Sequence, residues 1–549
     1  MRLSSCFLPI LFCFLWAAGC GSMAPVDQWD IFRPDYDKAL EKAEARQIQK
    51  PSDVLPEIHG TPARASDQIP KQITDLAPDG EPLALSVEAA VLMALRFNHD
   101  LRVQQLNPVI AGTFEKIERG IFDPEVFAAM EYERLRALQT SRATEAQFGV
   151  KGSDVSYVAG IRQSLPTGTD LEAAVEQERS RSNRSPEQQT ARLGLSVTQS
   201  LLRGLGPAVN LARVRQAELD HTASLYELRG FTESLVADTE IAYWHYVVAA
   251  REIAIFENAL EVAKEQRDAI EQKIQVGLLP RTEAAAARAE VALREQALID
   301  AQSQFEERRL RFVRLIAPGS AEQPDLRMRP STEPEISPQP IKDLDERVRL
   351  AEQSRPDVNE SRLRLKQDRL GLITTRNGLL PRLELFAALG RSGYADSFSG
   401  SFSELDANTH DLSAGFRFSH FLGGRTAEAR DLAARVTRRQ SEAALSNLLR
   451  IVRLDVRLAA NEVERARRQI SATAATRALQ EQSLQAEEER YDVGDSTSLL
   501  VAQAQRDLLA ARLAEVEAIV NYRIALVELF LAEGSLLERR GIAMGPGGS

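Results

Sequence analysis

The chain has 549 residues, with 68 Lys plus Arg against 79 Asp plus Glu, so its formal net charge is −11 and it lacks a strongly basic footprint for nucleic acid. Apolar residues make up 44% and charged residues 27%, enough to bury cores, and the length by itself suggests roughly three or four domains. All three cysteines, Cys6, Cys13 and Cys20, fall in the first 20 residues, which excludes disulfides, cysteine metal sites and thiol catalysis from the rest of the chain.

The first segment in chain order reads as a targeting signal over residues 1–19. Met1 and Arg2 supply positive charge, residues 6–16 an apolar core too short to span a bilayer, and Ala17, Ala18 and Gly19 a small-residue site before Cys20. This resembles a bacterial lipoprotein signal, with Ala17 where such signals usually carry leucine. The resemblance implies cleavage before Cys20 and acylation of its sulfur; ordinary signal cleavage is the alternative. Residues 20–84 are rich in Pro, Asp, Lys and Gln and read as an extended tether. After Cys20 the longest uncharged, mostly apolar run is residues 241–250, and it includes His245. No transmembrane helix is predicted, so any membrane crossing has to be made by strands closed into a barrel.

A first repeat occupies residues 85–318. Ser86 caps a predicted helix through Ala89, Ala90, Ala94 and Leu95, continued from Leu101 to about Glu118. Strand patterns follow. Pro207 then opens a helical pattern to about Val276, which at ~1.5 Å per residue would be about 105 Å long, more than a globular core requires. That helix breaks at Gly277-Leu278-Leu279-Pro280 and resumes from Thr282 or Glu283 to about Ile316. A Pro-rich linker fills residues 319–342.

The second repeat, residues 343–534, has the same order of elements. It contains a helix through Pro356 to Asn377, strands, a long helix from about Arg425 to Val493, a break at Gly494-Asp495-Ser496, and a last helix to about Glu533; residues 535–549 form a tail. Val276-Gly277 matches Val493-Gly494 at an offset of 217, and the corner Leu201-Leu202-Arg203-Gly204 matches Phe421-Leu422-Gly423-Gly424 at 220. Two landmarks at nearly one offset argue for duplication. Asp100 matches Asp357 at 257, so the first half holds 257 − 220 = 37 extra residues, and these fall among its strands.

Leu445, Leu449, Val452, Val456, Ala459, Val463, Ala466 and Ile470 are spaced alternately four and three apart, the seam of a left-handed coiled coil. Ala249, Ile253, Phe256, Leu260 and Ala263 repeat that seam in the first half. The strand patterns alternate with period 2 over about 8 to 10 residues, the length a tilted membrane strand needs. In the first half they run through Val126–Tyr132, Val155–Ile161, Leu171–Val175 and Leu193–Val197, with Pro166-Thr167-Gly168 as a turn; in the second they run through Leu383–Leu389 and Leu412–Phe418. A half-buried soluble sheet would share this alternation.

These features together resemble the TolC-type outer-membrane efflux proteins over residues 85–533. The resemblance rests on the opening helix Leu85-Ser86-Val87-Glu88-Ala89-Ala90 to Asn98-His99-Asp100-Leu101, the corners Gln199-Ser200-Leu201-Leu202-Arg203-Gly204 and Phe421-Leu422-Gly423-Gly424-Arg425, and the breaks Val276-Gly277-Leu278 and Tyr491-Asp492-Val493-Gly494. It implies an α+β chain with a duplicated unit, forming a homotrimer whose transmembrane β-barrel continues into a long α-helical coiled-coil barrel. The implied function is the outer-membrane channel of a tripartite efflux or secretion system, with an inner-membrane transporter and a periplasmic adaptor protein as partners. Outer-membrane lipid would surround the barrel, while nucleic acid, cofactor, metal and catalysis are absent from the scheme.

Carried over residue by residue, the resemblance puts the adaptor-docking periplasmic tip at Val276, Gly277, Leu278, Thr282 and Glu283 on one break and at Tyr491, Val493, Gly494 and Ser496 on the other. Tyr491 and Glu283 match constriction positions. Ser496 stands where the best-known member has a gate arginine, and Leu500 and Gln503 where it has acidic ring residues, so a cation-sensitive gate does not carry over. The 37-residue insertion also departs from the usual four strands per protomer. Against an enzyme, the six histidines are scattered with no HExxH spacing, nucleotide loop or nucleophile elbow. The rival reading is a periplasmic coiled-coil structural lipoprotein, which needs no strands at matched places in both halves.

Overall fold

The computed structural model describes residues 83–140, 145, 147–316, 328–332, 338–406 and 409–543. The targeting signal, Cys20 and the tether up to residue 82 lie outside the described residues, as do residues 317–327 and 333–337 of the linker region and 544–549 of the tail.

A short strand β1 (Leu83–Leu85) leads into α1 (Val87–Phe97) and α2 (His99–Arg119). Ser86 and Asn98 cap these helices, their side-chain oxygens accepting from the backbone N–H of Ala89 at 3.2 Å and of Leu101 at 2.9 Å. Strands β2 (Glu125–Thr140), β3 (Gln147–Leu165), β4 (Thr169–Ser182) and β5 (Gln188–Ser200) follow. They are 13 to 19 residues long, not 8 to 10, because the ladders continue past the apolar alternation into polar segments at one end.

The pattern opening at Pro207 divides at Leu211 into a turn of helix α3 (Pro207–Asn210) and the 64-residue α4 (Ala212–Gln275), about 96 Å at ~1.5 Å per residue. Helix α5 (Glu283–Ile316) returns beside it, and a strand β6 (Met328–Pro330), inside the stretch read as a linker, pairs in parallel with β1. The second half comprises α6 (Leu344–Ser354), α7 (Pro356–Gly378), β7 (Arg382–Ala395), a short α8 (Phe398–Ser403), β8 (His410–Ser419), α9 (Arg425–Asp492), α10 (Ser498–Glu533) and α11 (Leu536–Arg539). Helices α1 and α6 both have 11 residues, and α1, α2 and β2 begin 257 residues before α6, α7 and β7. Sequence periodicity does not separate α6 from α7; Pro356 at their junction resets the helix.

The predicted seams are where the long helices pack. Val452, Val456, Val463 and Ala466 are buried, with Leu445, Leu449, Ala459 and Ile470 packed against them; in the first half Ala249, Leu260 and Ala263 are buried. A second core gathers Tyr243, Tyr246 and Phe312 under the small ribbon. The Tyr243 hydroxyl donates to the Leu85 carbonyl (3.0 Å) and the Tyr246 hydroxyl to that of Met328 (2.5 Å), so each tyrosine holds one strand of the β1–β6 pair. Burial pushes the Tyr246 phenol up to about 12, which keeps it a donor. The residues after α10 fold back onto α4, where Arg540 grips Glu240 through two hydrogen bonds of 2.6 and 2.5 Å.

Candidate functional site

Six strands form one antiparallel sheet in the order β2-β3-β4-β5-β7-β8. Adding 257 to the start of β2 gives the start of β7, and adding 220 to the end of β5 gives residue 420, next to the end of β8. The 37 extra residues therefore lie between β2 and β5, and they are the β3–β4 pair. Their turn, Pro166-Thr167-Gly168, reaches the end of the sheet to which the long helices attach. Asn210 fastens it there, its amide donating to the carbonyls of Pro166 (3.0 Å) and Gly204 (2.8 Å), while the Gly168 carbonyl accepts from Ser200 N–H (2.9 Å). Gly168 is obligatory at that place, since its φ is +83° and a Cβ would lie 2.2 Å from the Gly204 carbonyl oxygen.

Register aligns the apolar positions into continuous rows. One row runs Val126, Ile161, Ala173, Leu195, Leu389 and Leu412 across all six strands. On β2 and β3 the apolar run extends six residues from this row toward the loop end, to Tyr132 and Val155; on β7 and β8 it extends six toward the helix end, to Leu383 and Phe418. The belt's midpoint thus drifts by six residues over five strand-to-strand steps. With ~3.4 Å per residue and ~4.8 Å between strands, this is a tilt of about 40° between strands and belt normal, within the range for membrane barrels. The belt is open to solvent: Val126 is 78% exposed, Leu412 71% and Phe416 70%. All ten Asp and Glu residues of the six strands occupy the opposite face. A soluble half-buried sheet would cover the whole of its apolar face; here α8 and the turn after it pack only beyond the belt's loop-side end, over Ala191 and Gly393, and leave the belt itself open.

At the far ends of the long helices two turns share one geometry. After α4, Gly277 N–H donates to the Ile274 carbonyl (3.1 Å) and Leu278 N–H to that of Lys273 (2.8 Å); after α9, Gly494 donates to Tyr491 (3.1 Å) and Asp495 to Arg490 (2.8 Å). These are two Schellman caps, with φ of +80° at Gly277 and +85° at Gly494. Val276, Leu278 and Val493 project into solvent, and Thr282 is exposed just before α5.

The two turns also touch. Ser498 Oγ donates to the Glu283 carboxylate, and Lys273 Nζ sits 4.8 Å from the centroid of the Tyr491 ring and 3.8 Å from Asp492. The Tyr491 hydroxyl is buried with no hydrogen-bond partner among the described residues, and burial beside Glu283 and Asp492 holds its pKa above the usual phenol value. Ser496 Oγ bonds Glu487 within its own half, and Leu500 and Gln503 are exposed on α10. Lys273, Ser498 and Glu487 carry no spacing signal that would single them out in the sequence: the residue 217 before Ser498 is Arg281, so the repeat does not point to it. Among the described residues no helix is long and apolar enough to cross a membrane, and no group of three His, Cys, Asp or Glu could hold a metal.

The family described as outer membrane efflux protein matches residues 348–535. No curated protein matches the chain in sequence. Among solved structures, the outer-membrane channel OprN is similar at 20% identity over 82% of this chain and 90% of that one, with a TM-score of 0.62. The CmeC outer membrane channel of Campylobacter jejuni is similar at 18% identity over 82% and 86% (TM-score 0.60), and the outer membrane protein VceC of Vibrio cholerae at 17% over 82% and 96% (TM-score 0.60).

Proposed function

We propose that this chain, which matches the outer membrane efflux protein family over residues 348–535 and has the fold of solved outer-membrane channels, is itself the outer-membrane channel of a tripartite efflux or secretion system. The observation that carries the reading is the tilted, uncovered apolar belt across all six strands, backed by a face bearing every strand carboxylate. Three protomers would join edge to edge, β8 of one beside β2 of the next, removing the two open edges. Three times six strands gives an eighteen-strand ring. At ~4.8 Å spacing and ~40° tilt its diameter is about 36 Å, against about 24 Å for twelve strands. The long helices continue the ring as a periplasmic duct.

In this scheme the tip made of Val276, Gly277, Leu278, Thr282, Glu283, Tyr491, Val493, Gly494 and Ser496 docks the periplasmic adaptor, which joins the duct to an inner-membrane transporter. The Schellman caps support that role by exposing apolar side chains and backbone at a sharp turn. Cys20, acylated, would anchor the amino terminus in the outer membrane. Membrane fractionation with heat-modifiability gels and planar-bilayer recording test the channel. Insertion, a heat-sensitive trimer and ohmic conductance are expected; alkali-extractable protein without a β signal in circular dichroism would favour the structural coiled-coil lipoprotein instead.

A further inference from the structure

The six strands carry ten Lys and Arg residues, and these are sorted by face. Arg162, Arg192, Arg382 and Arg417 share the face with the carboxylates. Arg134, Arg136, Lys151, Arg179, Arg181 and Arg391 lie on the apolar face, and all six are exposed. Each stands beyond the loop-side end of its own strand's apolar run: Arg134 and Arg136 after Tyr132, Lys151 before Val155, Arg179 and Arg181 after Val175, Arg391 after Leu389. Because the belt itself drifts with the strand tilt, positions just past its edge on successive strands lie at one level. At the opposite, helix-side edge the same face offers uncharged Gln163 and Gln199. We propose that these six cations form a rim, repeated in each protomer, that binds the phosphate-bearing headgroups of outer-leaflet lipid.

Three observations favour a phosphate lipid as the occupant. The face holds no carboxylate within any strand, and among the described residues only Arg179 of the six cations forms an ion pair, at 2.6 Å with Glu187 in the loop before β5. Arg136 lies directly across the ladder from Lys151, and Arg179 and Arg181 are next neighbours on one face of β4. Like charges so placed repel and weaken a sheet unless an anion lies between them. Guanidinium groups also match phosphate oxygens in bidentate geometry, and long basic side chains beside an apolar belt lie where acyl chains end and headgroups begin. The belt fixes the anion's source, because a phosphate at this level is attached to acyl chains packed on Val126, Leu193 and Leu389.

This inference rests on the channel reading, and one preparation separates the two. The full-length trimer is placed in phosphatidylethanolamine vesicles containing bis-phosphorylated lipid A, or the same lipid with its phosphates removed, and bound lipid A is counted by native mass spectrometry after detergent extraction. Retention of the phosphorylated lipid about tenfold over the dephosphorylated one is expected. Replacing the six cations with Gln should remove the preference while the heat-modifiable trimer persists, and replacing the five arginines with Lys should keep it. Equal retention of both lipids by the natural chain overturns the rim, whether or not the Gln variant folds. Equal stabilisation of the trimer by inorganic phosphate alone also overturns it. Failure to enter vesicles overturns the channel reading, and the rim with it.

Discussion

Helices α1 and α6 are equally long, and the helix and strand that follow each, α2 and β2 in the first half and α7 and β7 in the second, begin at the same spacing of 257 residues. Past that strand the halves part: the second turns back through α8 directly into β8, whereas the first makes two additional crossings, β3 and β4, before reaching β5. The contrast follows from how each kind of element tolerates added length. A coiled-coil helix that gains residues other than in heptads rotates its seam off its partner, and here it would also misplace the capped turn at its far end. An antiparallel sheet opened between two paired strands can accept two more and return the chain to the same end with every ladder bond made. The sheet therefore took up 37 residues, while between corner and break the halves differ by only 220 − 217 = 3.

The sharpest way to break the contrast is to remove what distinguishes the halves. Deleting residues 141–187 and joining β2 to β5 through the loop of the second half leaves four strands per protomer. The ring is expected to narrow by about a third, since barrel diameter scales with strand number, and electron microscopy of the trimer measures it. The deletion also takes five of the ten strand carboxylates, Asp154, Asp170, Glu172, Glu176 and Glu178, with Arg162. Charge on that face goes from 4 − 10 = −6 to 3 − 5 = −2 per protomer, so cation selectivity in bilayer recordings should fall together with the diameter. An unchanged ring would mean that β3 and β4 do not stand in the barrel.

Where the halves agree, matched substitutions should act alike. Gly277→Leu and Gly494→Leu meet open space, as nothing lies within 4 Å of the point where either new Cβ would stand, so their cost is backbone strain of about 1–2 kcal/mol each at positive φ. Adaptor cross-linking should be lost in the double variant while the trimer persists; preserved cross-linking would remove the tip from the docking surface.

The long helices differ in what they bury as well. Glu233 is buried on α4 with Arg229 at 3.0 Å, while the residue 220 later, Arg453 on α9, is exposed. Burial first, with Glu538 competing for the same guanidinium, pushes Glu233 up to about 7. A carboxyl with a raised folded pKa stabilises the fold fully below its ordinary value of 4.5, and that contribution is lost as pH rises through about 7. Glu233→Gln should therefore raise the melting temperature by ~2–4 °C at pH 8 and leave it nearly unchanged at pH 4. Equal shifts at both pH values would mean that Glu233 stays ionised throughout.

What sequence reading reaches is what periodicity encodes. The seam from Leu445 to Ile470, the breaks at Gly277 and Gly494 and the cap at Ser86 follow from local spacing and residue type, and each has a counterpart in the fold. The strand alternation gives the faces but not the register, and only register turns six apolar runs into a drifting belt and a level cationic rim. Ribbon β1–β6 has three residues per strand and no signal of its own; it exists because Tyr243 and Tyr246, far along the chain, bond its carbonyls. Tip contacts such as Ser498 with Glu283 join the two halves, where neither local pattern nor repeat offset points.

That contact gives the smallest effect and a clean internal control. Ser498→Ala removes the hydrogen bond to Glu283 that links the hairpin of one half to that of the other, a loss of about 1 kcal/mol, and should raise the open probability of the channel about fivefold. Tyr491→Phe deletes a hydroxyl that bonds nothing among the described residues of its own chain, yet keeps the ring under Lys273. If the tip is held shut by contacts within each protomer, that variant gates like the natural channel. A Tyr491→Phe channel that opens as readily as Ser498→Ala would instead mean that the buried hydroxyl finds its acceptor on the next protomer, and closure would then belong to the ring and not to the single chain.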